Sequence, residues 1–284
     1  MKNTIAMSGR LSGDELASYW LEVSERHLAE KDEGLGVICF AGMPAWFNRF
    51  YDRYQRKGFE RLLQDEDFSN QRILDIGTGV GRWAREFARY PGAEVVGIDM
   101  EPLRLAQARE QGDSVTYLQM PVDALDFPDA SFDAVNSITV LQHTPHEVKR
   151  RAIAEFGRVL RPGGRAVIFE LTDMNDGAPH VYPWSRDTWL AELEQNGLSC
   201  RRMIGEQYTP VLRLIKAAYG TIKGRDSRLT IDEMKSGQTS ARARVYMAAL
   251  VPAVAVSYPI EEVARFLPPG FAKITGFLLD KTNA

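Results

Sequence analysis

The chain has 284 residues, of which 44% are hydrophobic and 26% charged, and its formal net charge is −3. This composition is typical of a folded domain with a substantial core, and it excludes a disordered tail, a collagen-like repeat and a disulfide scaffold. Nucleic-acid-binding domains are usually basic, so we expect no nucleic-acid partner. With no secretory pattern at the N-terminus and no long uncharged apolar run, we expect a cytoplasmic protein without a transmembrane segment. Cys39 and Cys200 match no metal-ligand spacing, so we expect no metal and two ordinary core thiols.

The hydrophobic pattern divides the chain into four segments. Residues 1–70 have helical spacing and predict an N-terminal helical cap. Residues 71–206 alternate short apolar runs with helical patterns, which predicts an α/β core with a mostly parallel sheet covered on both faces. Residues 207–270 break this rhythm and predict a helical insertion or lid, and residues 271–284 contain the last strand of the core.

Within the core segment the elements follow one another in a regular order. Strands are predicted at 72–76, 94–99, 115–119, 132–138 and 165–171, and helices at 83–90 and 103–110. Thr144 and Glu147 have the spacing of a capping box, which predicts the start of another helix. Ser185 is expected to cap the helix after the fifth strand.

A glycine-rich turn follows the first predicted strand. The run Asp75-Ile76-Gly77-Thr78-Gly79-Val80-Gly81 leads from a strand into a helix, and glycines there allow positive φ and let a ligand approach the backbone. A dinucleotide fingerprint needs glycine at position 82, where this chain has arginine, so a nicotinamide-dependent dehydrogenase is disfavoured. A carboxylate two positions before the first glycine suits a ligand with an ammonium group, and S-adenosylmethionine is such a ligand.

Two further carboxylates follow at equal intervals. Asp99 ends the second strand, 24 residues after Asp75, and Asp123 follows the third strand after another 24. A carboxylate at the end of the second strand is suited to accept hydrogen bonds from both ribose hydroxyls. Asp123, if placed beside the adenine, would accept a hydrogen bond from the exocyclic amine.

Four motifs in this order give the chain a clear resemblance to a known family. Residues 73–81, Asp99, residues 123–133 and residues 160–164 resemble the motifs of class I S-adenosylmethionine-dependent methyltransferases that act on small molecules. The resemblance covers about residues 70–200 and a last strand at 273–280. It implies a Rossmann-like, doubly wound, seven-stranded sheet.

The resemblance also implies roles for nine cofactor-binding residues. They are Asp75 for the ammonium, Gly77, Thr78 and Gly79 for the methionyl part and ribose, Asp99 for the ribose, Met100, Asp123 and Ala124 for the adenine, and Ile138 beneath the cofactor.

The expected activity is methyl transfer from S-adenosylmethionine to an oxygen, or secondarily a nitrogen, of a small molecule such as a natural-product or sugar-containing intermediate. The alternative is a cofactor-binding regulatory protein on the same scaffold without transfer activity. His143, just after the fourth strand, is the best candidate for a catalytic base. Glu170 and His180 are further candidates.

The two flanking segments leave alternatives open. The aromatic residues of 46–54 either pack on the sheet or supply pocket hydroxyls through Tyr51 and Tyr54. From residue 201 to 244 there are ten Lys/Arg against four Asp/Glu, and residues 245–260 carry no charge. This pattern fits a lid and homodimer contact, a segment that binds an anionic acceptor, or a segment that rests on a membrane surface or binds a lipid-linked acceptor.

Overall fold

The computed structural model describes residues 10–11, 13–28, 34–39, 45–174, 178–208 and 259–282. Its seven strands are β1 (Arg72–Ile76), β2 (Glu94–Asp99), β3 (Thr116–Gln119), β4 (Phe132–Ile138), β5 (Leu160–Leu171), β6 (Leu198–Glu206) and β7 (Ile274–Lys281). They form one sheet in the order β3-β2-β1-β4-β5-β7-β6. Only β7 runs antiparallel to its neighbours among these seven. The predicted seven-stranded, mostly parallel Rossmann-like fold is confirmed.

Helices cover both faces of this sheet. They are α1 (Gly13–His27), α2 (Leu35–Ile38), α3 (Ala45–Leu62), α4 (Arg82–Phe87), α5 (Pro102–Glu110), α6 (His146–Val159) and α7 (Arg186–Gln195). Leu74 of β1 packs in a core cluster with Phe156 of α6 and Trp189 of α7. Ile73, the neighbouring residue, packs on the other face with Phe59 of α3. Successive side chains of β1 therefore pack into two separate cores, one on each face of the sheet.

The order of the strands positions the candidate site. The chain leaves β1 towards β2 and β3 on one side, and β4 and β5 lie on the other. Open α/β sheets bind ligands in the crevice at such a switch point, outside the carboxyl ends of the strands. The glycine turn after β1 opens at this crevice.

Two local predictions were wrong. The capping box at residue 144 does not form, because Thr144 Oγ1 donates to Leu141 O (2.9 Å) and Pro145 occupies the cap of α6. Cys200 is exposed and Cys39 half-buried, so neither is a fully buried thiol. Position 200 lies on β6, which is an edge strand of the sheet. By contrast, Ser185 caps α7 as predicted and accepts a bond from Thr188 N.

Most of the predicted insertion lies outside the described residues. Of residues 207–270, only 207–208 and 259–270 belong to the described part, and residues 259–264 are helical. Within the described ranges, no helix has the length and apolar character needed to cross a bilayer. The same residues contain no cluster of three or more His, Cys, Asp or Glu side chains able to hold a metal ion.

Candidate functional site

The turn after β1 has a backbone that only glycine adopts easily. Gly77, Gly79 and Gly81 have φ of +62°, +56° and +81°, a region that costs other L-residues about 1 kcal/mol or more. A Cβ on Gly79 would lie 2.9 Å from a methyl of Ile38, and one on Gly77 would overlap Val140. The three positions therefore need glycine for conformation and for space.

Asp99 holds this turn from the end of β2. Its Oδ2 accepts a bond from Gly79 N (2.9 Å), and its Oδ1 accepts one from Glu101 N (2.9 Å). The side chain of Glu101 in turn caps α5. Each carboxylate oxygen of Asp99 still has a lone pair to offer, because a carboxylate accepts about four bonds in all. The half-buried Asp99 is thus placed to accept from a diol next to the glycine turn.

Asp75 lies beneath the turn and shapes it from below. Its side chain is 1% exposed. It accepts bonds from Thr78 Oγ1 and Asn136 Nδ2, both at 2.6 Å. Burial raises the pKa of Asp75 from 3.8 to about 6, although these two bonds act in the opposite direction. The carboxylate thereby fixes Thr78, the middle residue of the turn.

The remaining predicted cofactor residues lie along the same edge of the sheet. Met100 is 60% exposed directly after β2, and Ile138 is buried at the end of β4. Ala124 is exposed. Asp123 accepts two bonds from the guanidinium of Arg151, at 2.6 and 3.1 Å. An adenine amine at Asp123 would therefore share the carboxylate with Arg151.

His143 lies on the 3₁₀ turn after β4 and has a partner on each ring nitrogen. Its Nδ1 is 3.1 Å from His180 O, and its Nε2 is 3.0 Å from Gln142 Nε2. The His143 ring stacks on the His180 ring and meets Trp20 of α1 edge to face, with centroids 5.3 and 4.8 Å apart. Tyr19 stacks on His180 at 4.6 Å. These four rings line the edge next to β4.

Glu170 organises the turn that carries His143. It is fully buried at the end of β5. Its two oxygens accept the backbone N–H groups of Val140, Leu141 and Gln142 at 3.0, 2.7 and 2.8 Å. Burial raises the pKa of Glu170, while Lys149 and the three amides favour the carboxylate. The Glu170 carboxylate is thus used by the fold, and it shapes the site rather than facing a ligand.

Two residues of this region had not been predicted from the sequence. Gln142 accepts from Tyr182 N through its backbone oxygen (2.7 Å) and from Leu171 N through its side chain (3.2 Å), so it joins the turn to the loop after β5. Lys149 is fully buried and donates to Tyr182 O (2.5 Å). Its one available signal was its place, three residues before Ala152, on the apolar face of α6. Nothing in the pattern marked Gln142.

Tyr51 and Tyr54 of α3 use their hydroxyls within the protein. The Tyr51 hydroxyl accepts a bond from the side chain of Gln207, and Tyr54 donates to Glu261 (2.9 Å). Burial raises the pKa of both phenols. Their hydroxyls connect α3 to the end of β6 and to the helical residues 259–264.

Comparison with known proteins identifies the fold that carries this site. Residues 73–164 match the methyltransferase domain family. The chain has the class I methyltransferase fold. It is 39% identical over 122 residues to the sterol 24-C-methyltransferase of Yarrowia lipolytica, an alignment that covers 41% of this chain and 31% of that protein. It is 38% identical over 131 residues to the demethylmenaquinone methyltransferase of Thermus thermophilus, covering 44% and 57%.

A solved structure extends the likeness to almost the whole chain. The crystal structure of the 4+2 cyclase SpnF aligns with 97% of this chain and 98% of its own, with a TM-score of 0.60 and 18% identity. At that identity the likeness concerns the fold alone. The chain spans 31% and 57% of the lengths of these two curated relatives. The family match over residues 73–164 contains the glycine turn and the strands β2 and β4 that flank β1.

Proposed function

We propose that the protein is an S-adenosylmethionine-dependent methyltransferase that acts on a small molecule. The observation that carries the proposal is the glycine turn at the switch point of the sheet, bound through Gly79 N to the carboxylate of Asp99. The match of residues 73–164 to the methyltransferase domain family supports it. Arg82 in place of a third fingerprint glycine argues against a dinucleotide.

The residues present fit this cofactor. Gly77 and Gly79 have positive φ, and because they have no side chains, a methionyl group can approach their backbone closely. Asp99 would accept from the ribose hydroxyls, and the exposed Met100 would cover the adenine. Ile138 would lie beneath the cofactor, with Asp123 and Ala124 at the adenine edge. When bound, the cofactor supplies an electrophilic methyl group on its sulfonium.

The chain's own residues position the acceptor for an in-line displacement. Alignment alone is worth about 7–11 kcal/mol in the best intramolecular cases. Both ring nitrogens of His143 have partners, and the Glu170 carboxylate is surrounded by amides. This arrangement supports a reaction that depends on alignment more than on a strong base.

The acceptor that we propose is a small, largely apolar molecule. The rings of Tyr19, Trp20, His143 and His180 form a wall next to β4 that suits an apolar surface. The two curated relatives are named for a sterol and for demethylmenaquinone, and the first name specifies a carbon atom. Carbon therefore joins oxygen and nitrogen as a candidate for the methylated atom, and these relatives favour it.

Calorimetric titration with S-adenosylmethionine, S-adenosylhomocysteine and NAD tests the cofactor. We expect micromolar binding of the first two and none of NAD. Asp99→Ala should weaken binding at least about tenfold, since it removes charge-assisted bonds to the ribose. The exposed Asp126→Asn is the matched control and should bind normally. Binding of NAD alone, or equal affinity in Asp99→Ala, would overturn the assignment.

A second assay separates transfer from mere binding. The protein is incubated with methyl-labelled S-adenosylmethionine and a panel of sterols, quinones, phenols and amines, and the label is followed into the acceptor. Transfer to any member supports the proposal. Tight cofactor binding with no transfer across the panel would favour the regulatory alternative on the same scaffold.

A further inference from the structure

The helical residues 259–264 bury the charged side chain of Glu261 and expose two large apolar side chains. Glu261 and Ala264 are 4% and 6% exposed, whereas Ile260 and Val263 are 40% and 70% exposed. A surface helix of a folded domain normally shows the opposite arrangement. An exposed apolar face of this kind is informative, because single exposed residues are common but clusters are not.

The apolar surface continues along the chain towards β7. Phe266, Leu267 and Phe271 are 79%, 50% and 64% exposed. Together with Ile260 and Val263 they form what we name the 260–271 patch. The described residues include eleven exposed large apolar side chains, and five of them belong to these twelve positions. Exposed apolar side chains are thus concentrated in this patch, which indicates a surface that a membrane or another molecule covers.

Hydrogen bonds fix the orientation of this helix. Glu261 Oε2 accepts from Tyr54 Oη (2.9 Å) and from Tyr208 N (3.0 Å). Turning the helix to bury Val263 would break both bonds and would place the carboxylate in solvent. The apolar face therefore points outward as a consequence of the fold.

The patch lies at the same edge of the sheet as the candidate site. Ile274, the first residue of β7, is in register with Leu171 at the end of β5 and with Glu206 at the end of β6. Those are the carboxyl ends of strands parallel to β1. A surface that covers the 260–271 patch would thus meet the edge of the sheet at which the glycine turn opens.

Basic residues border the patch. Arg265 and Lys273 lie within or next to it in sequence, and the guanidinium of Arg186, which is 3.0 Å from the carboxylate of Asp187, lies beside Gly270. The nearby Glu262 is neutralised by Lys57 and Arg265, at 2.6 and 2.8 Å. Apolar side chains with basic neighbours suit an anionic lipid interface.

We propose that the 260–271 patch docks on the surface of a bilayer that contains anionic lipid. Val263 and Phe266 are 70% and 79% exposed, so both side chains protrude into solvent and are available to insert among lipid headgroups. A symmetric contact with a second copy would also bring the same basic residues together. This inference does not depend on methyl transfer, although it would place the candidate site beside a membrane-dissolved acceptor.

Vesicle sedimentation of the full chain tests the proposal. The probes are phosphatidylcholine vesicles with and without phosphatidylglycerol, at low and high salt. We expect binding to the anionic vesicles that weakens with salt. Phe266→Glu with Phe271→Glu should weaken it at least about tenfold. Leu118→Glu changes an exposed leucine on β3, the edge strand on the far side of the sheet from β7 and β6. It is the matched control and should bind like the wild type.

Three results would overturn the proposal. They are no binding by the wild type, equal binding by the double variant and the wild type, and a wild-type dimer in sedimentation velocity that the double variant dissociates without any vesicle binding. The third would assign the patch to a second copy of the chain. Calorimetry with S-adenosylmethionine on the same preparations verifies folding and tests the proposed function separately, since neither phenylalanine belongs to the glycine turn.

Discussion

Replacing Asp75 with asparagine should stabilise the fold at neutral pH. The buried carboxylate accepts from Thr78 Oγ1 and Asn136 Nδ2. The other side-chain atom of this amide, Asn136 Oδ1, is buried without a hydrogen-bond partner. In Asp75→Asn, the amide of Asn136 can turn over so that Oδ1 accepts from the new NH₂ group, while the new carbonyl oxygen accepts from Thr78. Both bonds survive, and the buried charge is gone.

The pKa of Asp75 sets the magnitude. Burial raises it from 3.8 to about 6, and a difference of about 2 pKa units corresponds to about 3 kcal/mol. A raised carboxyl pKa means that the native state binds more protons than the unfolded chain between about pH 4 and pH 6, so wild-type stability falls as the pH rises through that window. Asp75→Asn has no ionisable group at this position, so its stability does not fall in this window for that reason. The difference in unfolding free energy should grow from near zero below pH 4 to about 3 kcal/mol above pH 6.5.

Urea unfolding of both proteins from pH 4 to pH 8 measures this difference. Burial also raises the pKa values of two other carboxyl groups, Glu170 and Glu206. Their contributions cancel when the unfolding free energy of the wild type is subtracted from that of the variant at each pH. Asp126→Asn is the exposed control and should change stability by less than about 0.5 kcal/mol at any pH. A destabilised Asp75→Asn at pH 7, or a difference that does not vary with pH, would refute the reasoning. We expect the same variant to bind S-adenosylmethionine more weakly, as stabilising changes at a functional site often do.

Three other changes probe the site. Gly81→Ala should lower the free energy of unfolding, measured in urea, by about 2–4 kcal/mol, because the new Cβ would overlap the phenol of the β3 tyrosine. Gly112 has a similar positive φ but no atom within 4 Å of a Cβ, so the control Gly112→Ala should lower it by only about 1 kcal/mol. Lys149→Met should cost about 3 kcal/mol, since it leaves the Glu170 carboxylate buried without its cation, and adding Glu170→Gln should cost less than the two single changes summed. His143→Asn should keep most of the turnover that His143→Ala loses.

The strands around the site could be predicted because their signals are local. β1, β2 and β4 begin and end at the predicted residues, since each is an apolar run bounded by glycine or polar residues. The capping box at Thr144 failed because the preceding 3₁₀ turn offers Leu141 O to the same hydroxyl. A sequence pattern cannot rank two hydrogen-bond partners of one hydroxyl, here the backbone N–H of Glu147 and the carbonyl oxygen of Leu141, and the geometry of the turn favours the second.

The interactions that shape the acceptor side are non-local, and this is why the sequence did not reveal them. Gln142 contacts Leu171 and Tyr182, which lie 29 and 40 positions further along the chain. Glu170 read as a candidate base because its type and position fit one, yet three amides from the neighbouring turn surround it. Residue type predicts what a group can do, whereas its partners decide whether it is available.

The hydrogen bonds of His143 allow an experiment to distinguish a residue that positions the loop after β5 from a general base. Nδ1 faces a backbone oxygen, His180 O, which only accepts, so Nδ1 carries the proton and Nε2 accepts from the amide of Gln142. An asparagine at 143 can still donate to His180 O from its Nδ2, but it has no basic nitrogen. If His143 positions the loop after β5, His143→Asn should keep turnover within about threefold while His143→Ala loses more. A general base contributes about 10²–10⁴-fold, so an equal loss of at least a hundredfold in both variants would make His143 the base instead.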